Sequence, residues 1–288
     1  MIDNKTKGIL FMLMSSLGFS LMAVSIKYAE GIPLFEKIFF RNLVSFFVAL
    51  WGLRNTENFM DLLGKKGNRK FLFGRSIAGL LGVITNFYAI ANLPLANANI
   101  ITKLSPFVVL FFSAYYLKEK VRGIQVAGFF LSFFGLILII RPTLDFNILP
   151  SLSAVASAVC GGAAYTLVRH LGNRKENPNT IVFVFSLISV LGMFPLMIMD
   201  FVVPTFTQLL ILLSIGVFAS FGQFGLTYAY KYSKASEVSI YAYSSIIFTL
   251  VLGFFFFNEV PDMYEVIGGI IVIAVAVKLY FVFKGEKE

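Results

Sequence analysis

The amino-acid sequence predicts an all-α membrane protein of ten transmembrane helices in two inverted five-helix repeats. Three observations carry this prediction: an apolar composition, ten apolar stretches divided by turn signals, and a self-similarity between the halves in which loop charges change sign. Mean hydropathy is +0.84, with 58% of residues hydrophobic and 14% charged. No water-soluble domain of 288 residues keeps such a balance in solution.

The stretches fall at 7–28, 33–54, 71–92, 94–117, 122–141, 149–170, 179–200, 206–230, 236–257 and 263–283. Each has the length of about 20 residues that crosses a hydrocarbon core. Gly31-Ile32-Pro33, Leu93-Pro94, Arg141-Pro142, Asn177-Pro178 and Val260-Pro261 separate them. Short connections make consecutive helices antiparallel neighbours. The first stretch follows Lys5 and Lys7 as a secretory signal would. Its run from Gly8 to Ala29 is too long for one and has no clear cleavage site, so it reads as a retained helix. The 34 phenylalanines suit lipid contact, and the 23 glycines suit close helix packing. Cys160 stands alone, which excludes a disulfide framework and leaves it a packing role.

The net charge of +9 lies in short clusters between spans rather than along one stripe, which argues against nucleic acid as a partner. Arg54, Lys65, Lys66, Arg69 and Lys70, then Lys118, Lys120 and Arg122, then Arg169, Arg174 and Lys175, then Lys231 and Lys234 fall on one side, with the Lys284–Lys287 tail. The other side offers Lys27 and Arg141 against Glu30, Asp145, Asp200, Glu259 and Asp262. The positive-inside rule then puts both termini in the cytoplasm and the chain in the inner membrane. Loop 55–70 ends in a basic cluster that either fixes topology or touches anionic lipid headgroups.

A shift of 140 residues lays Tyr88-Ala89 on Tyr228-Ala229, Ala96 on Ser236, Ser105 on Ser245, Glu119 on Glu259 and Gly128 on Gly268. A shift of 142 lays Lys27 on Arg169. The units are 1–141 and 142–288. Five spans being odd, the second unit enters the membrane from the other side, and the loops agree: Lys118-Glu119-Lys120-Val121-Arg122 is basic where Asn258-Glu259-Val260-Pro261-Asp262 is acidic. Inverted repeats are an architecture of alternating access.

The stretch Asn86-Phe87-Tyr88-Ala89-Ile90-Ala91-Asn92-Leu93-Pro94-Leu95-Ala96-Asn97-Ala98 leads to Leu104-Ser105-Pro106 and Leu117-Lys118-Glu119-Lys120. Gly123, Gly128, Gly135 and Arg141-Pro142 follow, and Phe39-Phe40-Arg41-Asn42 precedes them. With these residues the chain resembles the drug/metabolite transporter superfamily, specifically proteins with two EamA-like domains. The resemblance spans the chain and weakens in the second half, where Ser-Pro becomes Ser245-Ile246. It implies a secondary transporter of a small organic metabolite, with a path lined mainly by spans 1, 3, 4, 6, 8 and 9. Similar proteins export amino acids and related metabolites or carry S-adenosylmethionine; more distant ones carry nucleotide sugars. Small multidrug-resistance relatives use a Glu in mid-helix 1, where this chain has Ser15, Ser16, Gly18 and Ser20.

Arg41 and Lys103 each lie eight residues below the outer end of their spans, roughly 12 Å deep, with Asn86 roughly 9 Å deep. Basic groups at such depth face a polar cavity or a partner. Arg41 either bridges helices, to backbone carbonyls or Glu36, or faces the cavity; Lys103 sits beside Ser105. Lys27 and Lys37, near the outer interface, snorkel. Tyr88, Gln223, Tyr228, Tyr241 and Tyr243 are further cavity candidates, the tyrosines alternatively belonging to an interfacial belt. Asn97 and Asn99 lie near the outer mouth. Pro106 removes a donor in mid-helix and is a candidate hinge. Gly79, Gly82, Gly161 and Gly162 mark helix contacts.

One histidine, His170, and no paired carboxylates, metal cluster or phosphate loop argue against an enzyme and imply no cofactor. A channel or a non-transporting membrane subunit is the alternative to a carrier, as a monomer or homodimer. Two deep cations without a deep acid favour an anionic or zwitterionic solute, such as an amino acid or nucleoside derivative.

Overall fold

The computed structural model describes residues 3–56, 59–93, 95–141 and 147–284. The chain is helical: α1 (Asn4–Tyr28), α2 (Leu34–Gly52), α3 (Phe59–Leu62), α4 (Arg69–Asn92), α5 (Leu95–Thr102), α6 (Ser105–Tyr115), α7 (Gly123–Ile140), α8 (Ile148–Asn173), α9 (Pro178–Met199), α10 (Phe206–Tyr232), α11 (Ala235–Val238), α12 (Ser244–Phe257) and α13 (Met263–Lys284). A 3-10 turn, Ser239–Tyr243, joins α11 to α12. Helix starts follow local chemistry. Asp3 accepts from the Thr6 N–H, Thr205 and Gln208 form a reciprocal capping box, and Pro178 opens α9 behind the Asn177 cap.

Among the described residues, seven segments are long and apolar enough to cross a membrane: α1, α7, α8, α9, α10, Ala235–Phe257 and Met263–Val282. The other three predicted spans correspond to α2, α4 and the α5–α6 pair. Glu36, Lys37 and Arg41 dilute the 19 residues of α2, and α4 carries Arg69, Lys70 and Arg75. The predicted span 94–117 is not one helix: α5 stops at Thr102 and α6 starts at Ser105. Span 236–257 is likewise interrupted, by the 3-10 turn. Two helices are thus interrupted in corresponding regions of the two halves, between Thr102 and Ser105 and at the 3-10 turn Ser239–Tyr243, which overlap at Lys103 and Tyr243 under the 140-residue shift.

The loops after these helices match as well. Lys118 and Asn258 both take the left-handed conformation, φ +54°, that lets a helix end turn back on itself. The N–H of Glu119 then bonds the Ser113 carbonyl at 3.0 Å, and that of Glu259 bonds Gly253 at 3.2 Å.

Helix packing follows a paired pattern. α1 lies on α10 and α12, as α8 lies on α4 and α6; α2 lies on α10, as α9 lies on α4. α2 also packs on α9, and α7 on α13. Small residues permit the closest crossings. A Cβ on Gly18 would lie 2.6 Å from the Gly222 nitrogen, and one on Gly135 would lie 2.9 Å from the Gly268 carbonyl oxygen. The α4–α8 crossing at Gly82 and Gly161 is looser, at 3.4 Å, with half-buried Cys160 beside it.

The described part of loop 55–70 docks on the α8–α9 connection. Buried Glu176 accepts from Asn68 Nδ2 at 2.6 Å and from the Lys65 N–H at 3.3 Å. Its basic residues still face outward: Lys65, Lys66 and Lys70 are exposed.

Candidate functional site

Two adjoining cavities, of about 300 and 660 Å³, occupy the middle of the bundle. They share Met22, Arg41, Asn86, Thr102, Ser105 and Tyr165 on their walls, which makes them lobes of one space. The smaller lobe lies among α1, α2, α4, α8 and α10 and adds Lys37, Arg75 and Gln223. The larger lies among α1, α6, α7, α10 and α12 and adds Lys103, Pro106, Tyr243 and Ser245.

The helix breaks build the centre of this space. With α5 stopped at Thr102, the Lys103 carbonyl is free of a helical partner and accepts from Tyr243 Oη at 3.2 Å. Lys103 Nζ donates to Ser245 Oγ at 3.2 Å, and Ser20 Oγ donates to the Ser245 carbonyl at 2.8 Å. Lys103 and Tyr243, and Ser105 and Ser245, are repeat counterparts, so the two broken helices meet at matching residues. Pro106 is not in mid-helix: it stands in the first turn of α6, where the missing N–H has no helical partner to lose. α12 starts at Ser244 and carries Ile246 in place of a proline, so the second break forms without one.

Of the sequence-predicted site residues, Lys103, Arg41, Asn86, Ser105, Gln223, Tyr243 and Pro106 come together on the cavity walls. Three do not line this space. Tyr88 is 44% exposed on α4. Tyr228 stacks in a cluster with Phe11 and Tyr232, ring centroids 5.1 and 6.3 Å away. Tyr241 is buried, donates to the Ala276 carbonyl at 3.2 Å, and borders a separate apolar groove between α1 and α13. The side chains of Asn97 and Asn99 lie outside the described residues. Arg41 Nη1 reaches Asn42 Oδ1 at 3.3 Å, while Glu36 accepts from the Val202 N–H at 3.3 Å.

Two wall residues were not singled out in the sequence. Arg75 is 2% exposed, packs its guanidinium on the Phe185 ring at 3.7 Å, and leaves Nε and Nη1 without partners. Tyr165 on α8 lies within electrostatic range of both Arg41 and Arg75. A pattern could have found Arg75: Arg75, Gly79, Gly82 and Asn86 repeat at helical spacing, one cation on a small-residue face.

The two ends of the bundle differ. At the end with the N-terminus, Arg169 Nε meets Glu119 Oε1 at 2.9 Å, with side chains 13% and 6% exposed. Arg169 Nη1 also donates to the Tyr230 carbonyl at 3.0 Å, and Glu119 Oε2 accepts from both N–H and Oγ of Ser236 at 3.1 Å. At the far end Lys27 pairs with Glu259, the side chains 53% and 58% exposed. Lys27 is the counterpart of Arg169, and Glu259 of Glu119. Asp262 pairs with Arg141 beside it; the Glu265 N–H and then the Arg141 guanidinium hold its carboxyl below the usual range.

A sequence model described as "EamA-like transporter family" matches residues 6–141 and 149–281. The chain is 31% identical to "Pseudopaline exporter CntI" of Pseudomonas aeruginosa, over 99% of each protein. It is 25% identical to "S-adenosylmethionine uptake transporter" of Rickettsia prowazekii, over 98% of this chain and 94% of that one. It is 26% identical to human "Solute carrier family 35 member G1", over 93% and 77%. A crystal structure superimposes with a TM-score of 0.83 at 17% identity, over 96% of this chain and 98% of the other, a likeness of fold.

Proposed function

Because the chain belongs to the EamA-like transporter family, we propose that it is an inner-membrane secondary transporter that moves a small anionic or zwitterionic metabolite by alternating access. Its ten spans form two inverted units, 1–141 and 142–288, with both termini cytoplasmic. The observation that carries this reading is a cationic central cavity whose two ends hold counterpart ion pairs, Arg169–Glu119 buried and Lys27–Glu259 exposed. Both pairs are formed in this structure, and two packings in which one or the other is released open the cavity first to one side and then to the other.

The matched helix breaks, the matched left-handed turns at Lys118 and Asn258, and the paired helix contacts support the two-unit reading. With the buried pair on the cytoplasmic side, this conformer is closed to the cytoplasm. The pivot falls at the Lys103–Leu104 break, with Pro106 as the first-turn residue that starts the next helix cleanly.

Purified protein in liposomes tests the reading. Glutamate, uridine monophosphate and tetraphenylphosphonium serve as labelled probes, and saturable counterflow of an anionic or zwitterionic one is expected. Accumulation of tetraphenylphosphonium alone, or a current that never saturates, rejects it.

The inverted arrangement has its own test, in a Cys160→Ser background. A cysteine at exposed Lys120 should be labelled by an impermeant maleimide only from the cytoplasm, and one at Asp262 only from outside. Labelling of both from the same side removes the inverted repeat.

A further inference from the structure

Arg75 lines only the smaller lobe and Lys103 only the larger, with Arg41 between them on both, and we propose that these cations form two oxyanion subsites, so that the solute carries carboxylate or phosphate groups at both ends of its skeleton. This rests on the reading of the chain as a carrier of anionic metabolites and narrows the substrate class.

The first subsite is the guanidinium pair of Arg41 and Arg75 in the smaller lobe. The face of Arg75 is taken by Phe185 at 3.7 Å, which leaves the edge, where Nε and Nη1 have no partner although the side chain is 98% buried. A guanidinium edge is a rigid fork of N–H donors matched to a carboxylate or phosphate. Gln223 Nε2 is a further unpartnered donor on the same wall. Gly79 keeps the approach open, since a Cβ there would lie 3.3 Å from Arg75 Nη1. Among the described residues, no carboxylate lines this lobe.

The second subsite is Lys103, in the larger lobe only. Its hydrogen bond to Ser245 Oγ satisfies a donor and leaves the charge uncompensated. Glu265 is the only carboxylate on that wall among the described residues, and its Oε2 already accepts from the Asp262 N–H at 2.9 Å at the start of α13. A solute with one anionic group satisfies one lobe and leaves a desolvated cation in the other, an expensive state at low dielectric. A solute charged at both ends satisfies both. The lobe volumes, 300 and 660 Å³, admit a molecule longer than a single amino acid.

Calorimetric binding to the full-length protein in detergent tests this with N-acetyl dipeptides of matched length. The probes are Glu-Glu acid with three carboxylates, phosphoserine-Glu acid, Gln-Gln acid with one carboxylate, and neutral Gln-Gln amide. At least one of the two multiply charged probes should bind about tenfold or more tighter than Gln-Gln acid, and the tighter of the two identifies carboxylate or phosphate. Lys103→Gln and Arg75→Gln should each erase that advantage, weakening the multiply charged probe by about tenfold or more and Gln-Gln acid by less. If Arg75→Gln does not fold, Lys103→Gln and the charge-keeping Arg75→Lys carry the comparison. Equal binding of singly and multiply charged probes overturns the two-subsite proposal and leaves the anionic reading standing. Equal binding of the neutral amide overturns both. Failure of both multiply charged probes to bind at millimolar concentration also overturns the two-subsite proposal.

Discussion

Glu119→Gln is expected to lower transport by about 100-fold or more while the protein still reaches the membrane. Glu119 is the anionic partner of Arg169, 2.9 Å away, and it also holds the first turn of α11 through the Ser236 N–H and hydroxyl. Glutamine keeps the shape and one acceptor oxygen but removes the charge, leaving a nearly buried guanidinium without its counter-ion. Breaking one side of a buried pair costs about 3–5 kcal/mol. In the proposed cycle the pair forms in one packing only, so that loss falls on the conformer closed at this end and shifts the balance of states by two to three orders of magnitude, at about 1.4 kcal/mol per decade. Glu259→Gln is the control: the Lys27 pair is more than half exposed, where pairs contribute about 0–1 kcal/mol. Uptake rates in liposomes and accessibility of a cysteine at Ser16, on the cavity wall, provide the two readouts. Wild-type rates in Glu119→Gln would falsify the latch.

Gly18→Leu is expected to prevent assembly of the bundle. A Cβ at this position meets the Gly222 nitrogen at 2.6 Å and the Phe218 carbonyl at 3.0 Å, backbone atoms that cannot rotate away as a side chain would. The α1–α10 contact is the most extensive between any two helices, and Ser15 adds a 2.6 Å hydrogen bond to the Gly222 carbonyl. Helix association in lipid rests on such close packing. The variant should lose the monodisperse peak in detergent gel filtration. Gly82→Ala should keep it, because its methyl finds its nearest neighbour at 3.4 Å. Normal assembly of Gly18→Leu would show that α1 has another seat on α10.

Much of this was legible before any coordinates. Hydropathy located the helices because lipid imposes a length and a composition, and the repeat located Glu119, Glu259, Lys27 and Arg169 before they were seen to pair. Lys103 and Arg41 were legible because a deep cation is costly unless it faces something polar. Arg75 was less visible because it lies four residues into its span, close to the flanking Arg69 and Lys70, and only its spacing from Gly79 and Asn86 separates it from them. The break at Ser239–Tyr243 has no proline or glycine to announce it; it packs against α1 and α6 and bonds the Lys103 carbonyl, and local sequence does not record packing. Tyrosines were the weakest signal, since a ring with a polar tip suits a cavity, a helix contact or an interface equally.

Under the alternating access proposed above, the unequal strength of the two counterpart ion pairs sets the rhythm of the transport cycle. A carrier must release its latch on every half-cycle, and here one latch is wet and held by one pair, while the other is dry and tied by three further hydrogen bonds. The empty protein therefore dwells in the state with the dry latch shut, and returning it unloaded is the slow leg. Bound solute contributes its own contacts toward opening that latch, so a loaded return outruns an empty one. The expected signature is trans-stimulation: efflux from liposomes should accelerate when unlabelled solute is supplied on the opposite side, and raising the salt concentration, which screens only the exposed pair, should leave that acceleration intact.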